Sequence, residues 1–233
     1  MKIGVAIPAF IGHIYQLLKL LDSIQSQSYI PDKVVVSCSS TKNTDFDLYL
    51  EKIQKYTFPL QIITSEEKKS AAQNRNIAAS FLTDVDCVTF IDADDTMHPQ
   101  RIEILLNAFK EHGCDIILHN YYNYSNLETP QNVFLKKIDS CDIKIRINSL
   151  EQCFSGCIKL KTYNDDNEKI HHGHVSIKQT IFNSVIFPEE PEFYRKEDCV
   201  FCYRVFALPN IKNIYISNEL TCYNPSNTQI EFF

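Results

Sequence analysis

Apolar and polar positions along the first half of the chain follow two periods that take turns. Residues 2–7 (KIGVAI) are a continuous apolar run, which predicts a buried strand that Pro8 stops. Ile14, Leu17, Leu18, Leu21 and Ile24 then follow the i, i+3, i+4, i+7 stripe of a helix over 14–27. Further strands are expected at Lys33–Cys38, Leu60–Thr64, Val85–Ile91 and Cys114–His119. Between them lie expected helices at Asp45–Tyr56, at Ser70–Phe81 with Ser70 as N-cap, and from Pro99 to about His112. Strand and helix at this spacing mean βαβ units and a mostly parallel central sheet flanked by helices. Such sheets take ligands at the carboxyl ends of their strands. Three polar-tipped segments fall there: Pro8-Ala9-Phe10, Ser37–Thr41 and Asp92–Asp95.

Beyond residue 120 the pattern loosens. Leu127–Asn132 reads as a turn, Val133–Ile147 as one or two strands, and Asn164–Lys169 as a polar, mobile loop. His174–Phe182 and Glu197–Phe206 read as helices, and Ile211–Ile216 and Leu220–Tyr223 as short strands. No linker long enough to split the chain is visible. The expectation is a single α/β domain over 1–233, with a ligand-binding half at 1–120 and a smaller C-terminal region at 121–233.

Composition narrows the function classes. The chain has 233 residues, 44% of them hydrophobic, enough for a real core. With 23 Lys+Arg against 29 Asp+Glu it carries a net charge of −6, which argues against broad nucleic-acid binding. No apolar run approaches the ~20 residues of a membrane span, and the N-terminus lacks the basic region and cleavage site of a signal peptide. Nine scattered cysteines suit reduced thiols in a cytoplasmic compartment, free or beside a membrane, better than a disulfide framework. Neither a G-x-G-x-x-G nor a Walker loop is present.

Asp92-Ala93-Asp94-Asp95 directly follows the fourth strand. Carboxylates this close repel one another unless a cation or hydrogen-bond donors compensate. A hard divalent cation shared with phosphates would do so; a solvated turn capping the next helix is the plainer account. Glu197-Asp198 opens a helix, where acidic side chains are favoured with or without a chemical role. His171-His172-Gly173-His174 is the most unusual string. On a strand, His172 and His174 would share a face; structural histidines, a substrate contact and a metal site all remain open. Cys199-Val-Phe-Cys202 reads as buried thiols on a helix rather than as a redox pair.

Taken together, IGVAIPAF, SIQSQSY, KVVVSCSST, SAAQNRNIA, VTFIDADDTMHPQRIEIL and YRKEDCVFCYRVF resemble glycosyltransferase family 2 over nearly the whole chain. The resemblance implies a GT-A-like fold and a nucleotide-sugar donor, with UDP first among nucleotides. It implies Mn²⁺ or Mg²⁺ as cofactor, a glycan or glycoconjugate acceptor in the C-terminal half, and inversion at the anomeric carbon. Pro8, Ala9 and Phe10 would line the nucleoside pocket, with Cys38 at the base-reading position. Asn74 and Arg75 would face the donor, and Asp92 and Ala93 would border the ribose. Asp94 would hold the metal, with Asp92 and Asp95 beside it. Asp198, with Glu197, would supply the general base, and His172 and His174 would approach the acceptor. The chain departs from the family at Cys38, where an acid is usual, at Gln73, where an arginine is usual, and at Tyr223-Asn224-Pro225-Ser226, where an arginine and a histidine are usual. These departures keep a non-catalytic nucleotide-sugar or glycan-binding module in view. A sugar-phosphate nucleotidyltransferase is a further alternative, weakened by PAFIGH where a glycine-rich phosphate loop would be needed.

Overall fold

The computed structural model describes residues 1–123, 134–147 and 170–224. The expected turn at Leu127–Asn132 and the expected loop at Asn164–Lys169 lie outside those residues. Four strands form the parallel part: β1 (Ile3–Phe10), β2 (Lys33–Ser39), β3 (Leu60–Ser65) and β4 (Cys87–Phe90), in the spatial order β3-β2-β1-β4. The chain leaves β1 in one direction for β2 and returns to its other side for β4, so the order reverses between β1 and β4. In an open sheet of this kind the crevice outside such a reversal is where ligands sit.

Helices α1 (Ile14–Gln25) and α4 (Arg101–His112) cover one face, and α3 (Ala71–Ser80) covers the other; a short helix α2 (Leu50–Ile53) follows a 3₁₀ stretch over Asn43–Tyr49. The alternation of β1 assigns the faces. Ile3, Val5, Ile7 and Ala9 join the core under α1 and α4, while Ala6 joins the core under α3. Ser70 caps α3 as expected, accepting from the Gln73 amide while Gln73 reaches back to the Ser70 amide.

β1 runs two residues beyond Pro8, against expectation. The physical reason is where the missing N–H would point. The Ala6 carbonyl, on the same side as Pro8, accepts from Ile91 on the β4 side, and β4 pairing ends at Ala6. Pro8 therefore lacks a donor only where no partner strand remains.

Beyond β4 the sheet becomes mixed: β8 (Ser176–Lys178), β6 (Ile116–Asn123), β9 (Lys212–Tyr223) and β5 (Thr96–Met97) follow, and β7 (Ile143–Ile147) pairs with β9. The helix expected over His174–Phe182 is instead a 3₁₀ turn at His172–His174, strand β8 and a short helix α5 (Gln179–Phe182). Val175 and Ile177, two apart and both buried, give β8 its strand period between β4 and β6. The two short strands expected near the C-terminus are one strand, β9, whose pairing with β6 shifts register around Asn120. Helix α6 (Glu197–Phe206) matches the expected bounds and buries Phe201, Cys202, Val205 and Phe206 against the α3 face. Among the described residues no helix is long and apolar enough to cross a membrane.

Candidate active site

The carboxyl ends of β1 and β2 are locked together by one amide. Asn74, on α3, donates to the Ala9 carbonyl (3.2 Å) and to Ser39 Oγ (3.0 Å), and accepts from Ser37 Oγ (2.9 Å). Its side chain is 3% exposed and its bonding capacity is largely used, so it positions the strand ends rather than reaching outward. Pro8 and Ala9 are buried in the strand, and Phe10 turns its ring edge-on to His13 at 4.0 Å. Cys38 is 1% exposed, in contact with Thr41 Oγ1 at 3.2 Å, and burial pushes its thiol up to about 11. A protonated thiol packed in the core is a poor reader of any base.

The three aspartates after β4 have three different fates. Asp95 is 1% exposed; its Oδ1 accepts from the Asn224 amide (2.8 Å) and its Oδ2 meets His174 Nε2 (2.7 Å). Burial, and then Asp94 and Asp92, raise its carboxyl well above the ordinary range, while burial lowers His174 well below its own. Both shifts run against the ionised forms, so burial works against an ion pair here and the contact rests on the hydrogen bond. With both oxygens occupied inside the protein, Asp95 does not fit a direct metal ligand. Asp92 Oδ1 accepts from Arg75 Nη2 (2.7 Å). Asp94 borders a cavity of about 250 Å³ together with Tyr15 and Lys19 of α1, Thr96 and Asn224. Burial and the charge of Asp92 push its carboxyl up to about 6. Ala93 between them is wholly buried.

Arg75 joins this cluster to the pair that opens α6. Its Nη1 meets Glu197 Oε1 at 2.8 Å, 122 residues away, and its side chain is 4% exposed. Burial would lower its pKa, but Asp92, Asp198 and Glu197 outweigh that and raise it. The guanidinium is thus committed to carboxylates instead of facing outward toward a ligand. Asp198 is pushed up by burial and pulled down further by Arg75, His172, His171 and the Cys199 N–H, which donates to its Oδ1 at 2.7 Å. The result is a carboxylate held below its ordinary value and ionised at neutral pH.

The histidine string is a 3₁₀ turn rather than a strand, so His172 and His174 do not share a face in the way expected. His172 turns to Cys199, Nδ1 to Sγ 3.3 Å, beside Asp198, and His174 turns to Asp95. Arg101, wholly buried, donates to the Phe90 and His174 carbonyls and to Thr89 Oγ1 at 2.9–3.1 Å, pinning the turn to the end of β4. Gly173 sits where a Cβ would meet Arg75 Nη2 at 2.9 Å and Asp92 Oδ2 at 3.1 Å. His13 also belongs to this region; burial pushes it down to about 4 against the pull of Asp92.

Several of these residues gave no clear sign in the sequence. Tyr15 and Lys19 lie on the polar face of α1 four residues apart, with the ammonium 4.7 Å from the ring centre; the spacing allows the pairing, but nothing in the sequence marks it as part of a site. His171 lies 4.1 Å from His174, ring centre to ring centre, because three residues of 3₁₀ turn stack side chains; only the turn type reveals it.

A family model described as Glycosyl transferase family 2 matches residues 5–176. The glycosyltransferase GlyG of Streptococcus pneumoniae serotype 4 is 24% identical over 224 residues, covering 95% of this chain and 70% of that protein. GlyA of the same organism is 29% identical over 130 residues, 54% of this chain and 18% of that protein. Among solved structures, S. aureus TarS 1–349 in complex with UDP superposes with a TM-score of 0.69 at 18% identity, covering 96% of this chain and 60% of that one. The mannosyltransferase PcManGT from Pyrobaculum calidifontis, in complex with GDP-Man and Mn²⁺, gives 0.63 at 12% identity, covering 95% and 56%. The chain thus spans about 60% of the TarS chain it resembles, and the structural likeness is one of fold.

Proposed function

The chain belongs to glycosyl transferase family 2 with a GT-A-like α/β fold, and from that premise we propose that it transfers a sugar from a nucleotide-diphosphate donor to a hydroxyl of a glycan or glycoconjugate. A UDP-sugar is the first donor to try, since the TarS neighbour was solved with UDP and with UDP-GlcNAc. One observation carries the reading. Arg75 ties Asp92 to Glu197, which draws the acidic cluster after β4 and the acidic pair of α6 to the same region.

The roles divide as follows. Asp94 faces the cavity with a charge that burial and Asp92 disfavour, so a divalent cation fits the donor set there; the Mn²⁺ of the PcManGT neighbour is in keeping with this. When bound, such an ion would neutralise charge on the departing diphosphate. Asp92 would border the ribose with its remaining oxygen, and Ala93 and Pro8-Ala9-Phe10 would form the wall of the nucleoside site through backbone. Asn74 and Glu197 become positioning residues, one holding the strand ends and the other holding Arg75. Lys19, at the cavity wall, would face a phosphate.

In the transfer step the acceptor oxygen attacks the anomeric carbon. The bond from that carbon to the β-phosphate oxygen breaks, and the nucleoside diphosphate leaves with the bonding pair. The hydroxyl proton passes to the Asp198 carboxylate. A carboxylate below its ordinary pKa is a weak base toward a free alcohol. The proton becomes acidic only as the new C–O bond forms, so transfer to Asp198 is late in the step. Attack opposite the leaving group inverts the configuration.

Asp198→Asn should keep donor binding, read by thermal shift with UDP-sugar and Mn²⁺, and lose roughly 10²–10⁴-fold in turnover. Full turnover in that variant would remove Asp198 from the chemistry. A second reading, a nucleotide-sugar-binding module without transfer, draws on the buried thiol of Cys38 and the internal bonding of Asp95. Sugar transfer or donor hydrolysis by the protein with Mn²⁺ decides between the two.

A further inference from the structure

We propose that Asp92, His171 and His174 form a metal site of their own, one that takes a transition-metal ion such as Zn²⁺ or Co²⁺ without any nucleotide. One donor atom from each residue lies within 4.8 Å of the other two. The edge of a tetrahedral site with metal–ligand bonds of about 2.0–2.1 Å is roughly 3.4 Å, so the three need to draw in by about an ångström. The inference requires no donor and uses neither Asp94 nor Asp198, but it gives the metal the Asp92 oxygen that the donor reading places at the ribose, so at that one atom the two readings exclude simultaneous occupancy.

Three independent features point to a ligand. The first is orphaned nitrogen. Among the described residues, Nδ1 of His171 and Nδ1 of His174 are buried without a hydrogen-bond partner, and the His174 side chain is 1% exposed. Buried polar atoms are rarely left in this state without a cause. The second is the arrangement of supporting bonds. His174 has its other nitrogen against Asp95, the carboxylate–histidine pairing that orients a metal-ligating imidazole. Asp92 has its other oxygen on Arg75, which fixes the carboxylate and leaves Oδ2 on the Gly173 side. The third is the turn. His171 and His174 are three residues apart across a 3₁₀ turn closed by the His174 N–H to His171 carbonyl bond (3.0 Å), and their rings lie 4.1 Å apart at 25°. Gly173 lets this turn press against Asp92 and Arg75, where any side chain would collide.

The charges around the site favour a cation. Asp92, Asp198 and Glu197 act on His171 in that sense, against Arg75, while Arg101 and Arg75 act the other way on His174. Burial keeps both imidazoles neutral, the form that binds metal. Coordination through Nδ1 of His174 puts its ring proton on Nε2, donated to Asp95, which then faces a cation as a carboxylate. Two imidazoles and one carboxylate suit Zn²⁺ and Co²⁺, whereas Mg²⁺ prefers an all-oxygen shell.

The test is Co²⁺ titration of chelator-treated protein in the absence of nucleotide, read by visible d–d absorption. The expected result is stoichiometric uptake with bands of mixed nitrogen and oxygen ligation, displaced by Zn²⁺ and unmoved by excess Mg²⁺. His171→Gln should weaken uptake roughly tenfold or more. His171 Nδ1 has no hydrogen-bond partner among the described residues, so an unchanged circular dichroism spectrum keeps this variant informative where His174→Gln disturbs Asp95. Asp94→Ala should keep Co²⁺ uptake while losing metal-dependent nucleotide binding. Absence of the bands, uptake unchanged in His171→Gln, or uptake abolished by Asp94→Ala would each overturn the site. Loss of transfer in Asp198→Asn with uptake intact would leave both readings standing, so the two fail separately.

Discussion

The parallel and the mixed parts of the sheet handle buried polar atoms in opposite ways. In β1 to β4 no buried side-chain polar atom lacks a partner among the described residues; Ser37 and Ser39 share Asn74, and Thr89 meets Ser176 at 2.7 Å. On the mixed side, His119 Nε2 and the Tyr122 hydroxyl of β6, and Ser217 Oγ and Thr221 Oγ1 of β9, have none among those residues. The histidine turn adds two more. A saturated region is finished as it stands and gains only rigidity from its polar groups. Unpartnered groups on the mixed side leave valences that a ligand or the remainder of the chain can fill. The parallel part is the rigid scaffold, and the acidic cluster follows its last strand.

Arg75 stands where the two parts meet, and removing it breaks the comparison most severely. Arg75→Met leaves Asp92 and Glu197 without a counter-charge while they are only 23% and 12% exposed. The expected loss is about 3–5 kcal/mol, read from urea unfolding. An unchanged midpoint would mean that the two acidic groups do not need each other's arginine. Asn74→Ala attacks the saturated side. It strands Ser37 Oγ and the Ala9 carbonyl, and should cost about 1–3 kcal/mol in the same measurement. Should that cost be absent, the scaffold is not held by its polar knot.

Gly173→Ala sharpens the contrast from the open side. A new methyl 2.9 Å from Arg75 Nη2 forces the turn or the arginine to move, an overpacking cost of about 1–3 kcal/mol. It should also lower Co²⁺ uptake, whereas Asn74→Ala should not. The smallest effect belongs to Asp94→Asn. Because the folded protein raises this carboxyl to about 6, the group's contribution to stability is fully present below its unfolded value near 4 and is lost as pH rises through 6. The variant should flatten that part of the pH–stability curve and slightly raise the melting temperature at pH 7. A curve identical to that of the parent chain would show that Asp94 is solvated like any surface acid.

The parallel scaffold was legible because its information is local and periodic. The 3.6-residue stripe of α1 and the Ser70 cap of α3 each stand within a few residues of sequence. The acidic cluster was legible for the same reason, as contiguous like charges. The fates of its members were not. Asp95 is tied up by Asn224 and His174, residues 129 and 79 positions away, and no window of sequence contains such partners. The helix expected from His174 is in part a 3₁₀ turn, which at three residues is too short to show a period. Pro8 misled in the opposite sense. It looked like a stop, and only the early end of β4 pairing makes it tolerable.

The Arg75 fork has a consequence for recombination. Helix α3 supplies the guanidinium, the turn after β4 supplies one carboxylate and α6 supplies the other. Chimeras that splice this chain to a relative between β4 and α6 would inherit one prong of the fork from each parent. Viable crossovers should therefore cluster where all three segments arrive from a single donor gene, and a shuffled library scored for soluble product would map that boundary.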